Sequence, residues 1–155
     1  MSMVPENKSK NWRTETRLVR GGTQRSKFDE TSEAIYMTSG YVYDSAENAE
    51  AAFKCSNSRY VYSRYANPTV TMFEQRLALL EGADYCVGTS SGMAAVFAAL
   101  MSQISAGDRV VASRALFGSC HYIIQHMLPK FGIDIQFVDG TDTMQWKTAL
   151  SVPAK

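Results

Sequence analysis

The sequence predicts an α/β fold built on a mostly parallel sheet, and three observations carry that reading. From residue 84 onward the apolar pattern alternates in type: a short run at 85–87, a helical stretch after residue 92, a short run at 109–112, a helical stretch over 118–132, and an alternating run at 133–138. Strand, helix, strand, helix, strand in that order favours parallel pairing through right-handed crossovers. The connections are rich in small and polar residues, as in "GTSSGM" and "AGD". Hydrophobic residues make up 45% and charged residues 20% of the 155 positions, so a packed core is feasible, and the length alone suits one domain.

The elements follow in order. Residues 1 to about 34 are polar and mixed in charge, with little periodicity, and read as an extended arm. "IYMTSGYVY" (35–43) is more apolar and aromatic and suits a short ordered strand or loop. "SAENAEAAFK" reads as a short helix capped by Ser45. "SRYVYSRYANPT" places three tyrosines and two arginines within eight positions. Tyr62 and Arg64, two apart, point the same way if this segment is extended. Asn67 and Pro68 then start a helix, because Asn caps and Pro at the first helical position gives up no needed N–H. Met72, Phe73, Leu77 and Leu80 form its apolar face, and Gly82 closes it.

Tyr85, Cys86 and Val87 read as a buried strand, followed by the turn "GTSSGM". The next helix puts Met93, Val96, Phe97, Leu100, Met101 and Ile104 on one broad face. Gly107 and Asp108 make a turn, "RVVA" a strand, "GSCHYIIQHMLPKFG" a helix ending near Pro129 and Gly132, and "IDIQFV" a last strand. About three strands leave a parallel sheet unfinished, since such sheets need both faces covered. The expectation is that the 155 residues are the front part of a longer chain; a small complete domain is the alternative.

The bulk numbers exclude some partners. Net charge is +1 and the basic residues are scattered, which gives no electrostatic basis for nucleic acid or an anionic membrane. No secretory leader and no membrane span is visible, so a cytoplasmic protein is expected. Cys55, Cys86 and Cys120 read as free thiols, and no metal site is expected, because His121 and His126 lie near no cysteine pair.

The "GTSSGM" turn carries the chemistry. A helix N-terminus presents N–H groups with no internal acceptor and a partial positive charge. Ser90 and Ser91 add hydroxyl donors, and Gly88 and Gly92 permit close approach. That suits a phosphate monoester. A Walker A loop is absent, since Met93 follows Gly92 where lysine is required, and the Gly-x-Gly-x-x-Gly spacing is absent as well. As an isolated feature the turn serves equally as a strand-to-helix connection with no ligand. Arg64 supplies a bidentate phosphate partner, and Phe117, just after the second strand, supplies a flat face at the carboxyl edge of the sheet.

Taken together, "YVYSRYANPT", "LEGAD", "TSSGMAAV", "GDRVV" and "LFG" resemble, in order and spacing, the Cys/Met-metabolism family of pyridoxal-phosphate enzymes, from about Thr16 to the last residue. The resemblance implies the N-terminal part of an aspartate aminotransferase-like, fold type I transferase. It implies pyridoxal 5'-phosphate as cofactor, with its phosphate on Ser91, Gly92 and Met93 and its ring against Phe117. Tyr62 and Arg64 then reach a phosphate held by the neighbouring subunit of a homo-oligomer, a dimer pair within a tetramer. Residues 1–60 form an arm and short helix on that neighbour, and 61–155 form the first part of the large cofactor domain. Most of the family has tyrosine where Phe117 stands, so a phenol's proton-transfer role does not carry over. A cofactor-bound lysine, or Tyr62 from the partner, is left to move protons.

The Schiff-base lysine and the aspartate for the pyridine nitrogen are expected downstream. None of Lys8, Lys10, Lys27, Lys54, Lys130, Lys147 and Lys155 has the expected context, and Lys130 and Lys147 read as solvated helix residues. The chain alone is therefore expected to be inactive. "GYVYDSAENAEAAF" and the phenylalanine of "LFG" resemble the members that exchange the succinate of O-succinyl-L-homoserine for sulfide, giving L-homocysteine. The family's cystathionine gamma-synthase, methionine gamma-lyase and O-acetylhomoserine sulfhydrylase activities stand as alternatives. A non-catalytic phosphate-binding module is the alternative of another class.

Overall fold

The computed structural model describes residues 11–54 and 59–155. The chain divides into two compact units, Met1–Gly88 and Thr89–Lys155.

In the first unit, α1 (Thr14–Arg20), α2 (Ala46–Phe53) and α3 (Pro68–Glu81) are joined by irregular segments. Helix α1 corrects the expectation of an extended arm through residue 34. It has no buried residue, so its periodicity is weak. What holds it is α3, against which it packs. The Arg17 guanidinium donates to the Leu79 carbonyl at 3.2 Å, and Arg76 Nε donates to the Gly21 carbonyl at 2.9 Å. Gly22 makes this approach possible: its φ is +70°, and a Cβ there would stand 2.8 Å from the Met72 carbonyl oxygen. The other ends form as expected. The Ser45 hydroxyl accepts from Asn48 N–H, Asn67 caps α3 with Pro68 at the first turn, and Gly82 ends α3 at φ +67°. Met72 is buried, but Phe73 is 57% exposed and drops out of the expected face.

Residues 85–87 are not a strand. Tyr85 is 91% and Val87 78% exposed, and among the described residues the only sheet contains β1 and β2 alone. An apolar triplet needs a hydrogen-bonded neighbour to become a strand, and this one has none among the described residues.

The second unit contains α4 (Gly92–Met101), β1 (Arg109–Ser113), α5 (Gly118–Tyr122), β2 (Asp134–Val138) and α6 (Thr143–Ala149). Strands β1 and β2 pair in parallel from Arg109↔Asp134 to Ser113↔Val138, as the strand–helix–strand order predicts. Buried Val110 and Ala112 of β1 meet Ile104, Ile123, Ile124, Leu128 and Ile133, and all five expected apolar residues of α4 pack on that cluster. The single helix expected over 118–132 is three pieces: α5, a π-helical turn Ile123–Met127 and a 3-10 turn Leu128–Phe131. Pro129 is the cause. It has no N–H to continue the ladder, and the Leu128 N–H reaches back five residues to the Ile123 carbonyl. Gly132 closes the run at φ +75°. Lys130 and Lys147 are exposed on helical turns, as expected. Among the described residues no helix is long and apolar enough to cross a membrane.

Candidate functional site

Helix α4 begins at an exposed, pre-shaped turn. Ser91 is its cap: the Ser91 hydroxyl oxygen accepts from Ala94 N–H at 3.1 Å, and its carbonyl accepts from Ala95 N–H at 3.0 Å. The Thr89 hydroxyl donates to the same carbonyl at 2.8 Å and fixes the approach to the cap. None of these three bonds uses the N–H groups of Gly92 and Met93, which as first-turn donors have no acceptor within the helix. Among the described residues the Ser91 hydroxyl proton likewise has no acceptor. A Cβ on Gly92 would meet nothing within 4 Å, so the space before the turn is open. This donor set fits an anion of phosphate size.

Phe117 follows the carboxyl end of β1 and starts α5, where its carbonyl accepts from His121 N–H at 2.9 Å. Leu116 packs on the core, while the Phe117 ring is 72% exposed and presents a free aromatic face. Met93 and Gly118 line one groove of about 580 Å³, together with Ala94, Phe97, Tyr122 and Met127. Met93 in the first turn of α4 and Gly118 at the start of α5 therefore border the same groove. Past the end of β2, Asp139 and Asp142 stay ionised for local reasons. The Thr141 N–H and then its hydroxyl hold Asp139 below the usual carboxylate range, and Gln145 and Met144 N–H groups do so for Asp142.

Tyr62 and Arg64 lie in the other unit. The segment turns instead of running extended: Tyr65 and Ala66 N–H both donate to the Tyr62 carbonyl, at 2.9 and 3.2 Å. Tyr62 and Arg64 still meet, because the guanidinium sits 5.2 Å from the Tyr62 ring centroid. Tyr62 also bridges Gly40. Asn67 secures the turn from below. Its side-chain oxygen accepts from Thr69 N–H at 2.9 Å, and its amide donates to the Tyr36 carbonyl at 2.9 Å and the Ser63 hydroxyl at 3.0 Å. Asn67→Ala is expected to cost about 0.5–2 kcal/mol through the lost cap. Urea unfolding checks this, and a change outside that range on either side counts against the cap as its main role.

Two contacts escaped the sequence. Glu74 accepts from Gly88 N–H at 2.7 Å, a link between residues 14 apart that no motif announces. Tyr65 also lies against Arg64, and its only signal was the tyrosine-rich composition of the segment.

Residues 15–155 match the family described as Cys/Met metabolism PLP-dependent enzyme. O-succinylhomoserine sulfhydrylase of Mycobacterium tuberculosis is 56% identical over 137 residues, covering 88% of this chain and 34% of that protein. The Pseudomonas aeruginosa protein of the same name is 42% identical over 135 residues, covering 87% and 34%. The crystal structure of an O-acetylhomoserine (thiol)-lyase from Campylobacter jejuni, with N'-pyridoxyl-lysine-5'-monophosphate, superposes with a TM-score of 0.82 at 32% identity, covering 90% of this chain and 34% of that one. The chain thus spans about a third of the length of the curated relatives it matches. The α/β architecture expected from the strand and helix order is the one shared with these pyridoxal-phosphate enzymes. With the family match over 15–155 and a phosphate-sized donor set at α4, the chain belongs to the Cys/Met-metabolism family of pyridoxal-phosphate-dependent enzymes.

Proposed function

We propose that the full-length protein catalyses gamma-replacement on O-succinyl-L-homoserine, taking sulfide and releasing L-homocysteine and succinate. The observation that carries this choice within the family is the 56% identity to a protein named O-succinylhomoserine sulfhydrylase, against 36% to an L-methionine gamma-lyase and 37% to an O-acetyl-L-homoserine sulfhydrylase. When bound, pyridoxal phosphate supplies the electron sink for charge developing on the substrate carbons.

The chain's own residues bind and orient. Ser91, Gly92 and Met93 offer the α4 N-terminus to the phosphate, where N–H dipoles favour negative charge. Phe117 covers one face of the ring. Tyr62 and Arg64 serve the site of a neighbouring subunit, and the segment up to residue 60, with its short helix α2, contributes contacts to that neighbour, while residues from 61 onward contribute to the large cofactor domain. Phe117 has no hydroxyl, so it takes part in no proton transfer. No lysine of this chain is assigned the covalent role: Lys54 pairs with Glu50, and Lys130 and Lys147 are exposed. The chain by itself contributes phosphate and stacking contacts.

The test is product analysis on the purified full-length protein, with succinyl- or acetyl-homoserine and with sulfide or cysteine. Homocysteine and succinate from the succinyl ester and sulfide are expected. Absence of homocysteine from sulfide overturns the assignment, and preferred use of the acetyl ester or of cysteine moves it to another member of the family. Phe117→Tyr is expected to leave pyridoxal phosphate affinity within about twofold, because the ring face is kept, whereas Phe117→Ala weakens it about two- to twelvefold. Titration of the apoprotein with cofactor reads both.

A further inference from the structure

The Arg64 guanidinium lies over two aromatic rings at once, 5.2 Å from the Tyr62 centroid and 5.2 Å from that of Tyr65. The turn creates this arrangement. Its Tyr65 N–H to Tyr62 carbonyl bond brings residues three apart to either side of Arg64 in sequence. Tyr65 is 74% exposed, and among the described residues its hydroxyl has no hydrogen-bond partner and its ring no other aromatic neighbour. Burial therefore does not explain the position of its ring; the cation does. Among the described residues Arg64 forms no ion pair, so its charge is not neutralised locally.

A guanidinium attracted through its face keeps its N–H donors at the edge. That edge is the part that meets a phosphate in two parallel hydrogen bonds. A long side chain loses rotamer freedom when it binds, and two rings that already restrict it remove part of that loss before the anion arrives.

We propose that Tyr65 is a positioning residue that holds Arg64 ready for a phosphate monoester. Tyr65 acts through Arg64 and does not touch the anion. The inference rests on the reading of Arg64 as a phosphate ligand.

The test is the dissociation constant of pyridoxal 5'-phosphate, measured by absorbance titration of the full-length apoprotein. The parent is compared with Tyr65→Leu, Tyr65→Phe, Arg64→Ala and the double variant Arg64→Ala/Tyr65→Leu. Tyr65→Leu is expected to weaken binding about two- to fivefold, the worth of one exposed cation–π contact, and Tyr65→Phe to restore the parent value. In the Arg64→Ala background Tyr65→Leu is expected to change nothing further. A Tyr65→Leu protein that binds like the parent while Arg64→Ala is impaired overturns the role of Tyr65 and leaves that of Arg64 standing. Equal losses from Tyr65→Leu with and without Arg64 overturn it as well, since the ring then acts on something else. An unimpaired Arg64→Ala protein overturns the reading beneath, and the proposal with it. Should leucine unsettle the turn, Tyr65→Trp keeps an aromatic face and is expected to match the parent; weaker binding by Trp than by Leu is the contrary result.

Discussion

Leu128→Ala is expected to lower the unfolding free energy of the 89–155 unit by about 2–5 kcal/mol. Leu128 has 0% of its surface exposed and sits among Ile104, Val110, Ile123, Ile124 and Ile133. Truncation removes the transfer free energy of three carbons and leaves a cavity. Collapse into that cavity is resisted on two sides. The β1–β2 ladder fixes Val110 and Ala112, and the turn that carries Leu128 is pinned by its own N–H to Ile123 and by Pro129. The upper half of the range is therefore the better match. Trp146 lies in the same unit and reports its unfolding by fluorescence in urea, once Trp12 is replaced by phenylalanine. A midpoint unchanged by Leu128→Ala would falsify the placement of this side chain at the centre of the core.

Arg64→Ala in the full-length protein is expected to weaken pyridoxal phosphate binding by about 1.5–3 kcal/mol, the usual worth of a hydrogen bond to a charged group. The direction follows from chemistry already present in the unit. Arg64 is exposed, and among the described residues its guanidinium lies against two aromatic faces and in no ion pair. On the proposed site, its removal would leave the phosphate with the neutral N–H donors of an α4 terminus. Loss on dilution should rise with the dissociation constant, and added salt should weaken the parent more than the variant, because the variant has no cation to screen. Equal cofactor affinity in parent and variant sinks the role assigned to Arg64.

The features legible in the sequence were those with local causes. Ser45, Asn67 with Pro68, Gly82 and Gly132 each satisfy or end a helix through atoms a few residues away, and each stands where its residue type predicts. The broad face of α4 was legible for a similar reason, since every second turn repeats it. What failed depended on distant partners. Helix α1 is held by Leu79 and Arg76, more than fifty residues on. The triplet 85–87 is apolar enough for a strand but has no neighbour to pair with among the described residues. At the candidate site the residue types of the α4 turn and Phe117 were legible, whereas the geometry at Arg64 was not. Alternation along an extended strand would place Tyr62 beside Arg64, and a turn does so by another route that also recruits Tyr65.

The parallel ladder has a consequence for biosynthesis. Residues 109–113 pair with residues 134–138, so no local hairpin can start the sheet. Helix α4, with Met93, Val96 and Phe97 on its apolar face, emerges about 45 residues before Val138 completes the ladder. At about 5–20 residues per second, that face waits roughly 2–9 seconds on the ribosome for the strands that complete its core. A chaperone that binds short apolar helices has its opening in this interval, and rare codons between residues 114 and 133 would lengthen it.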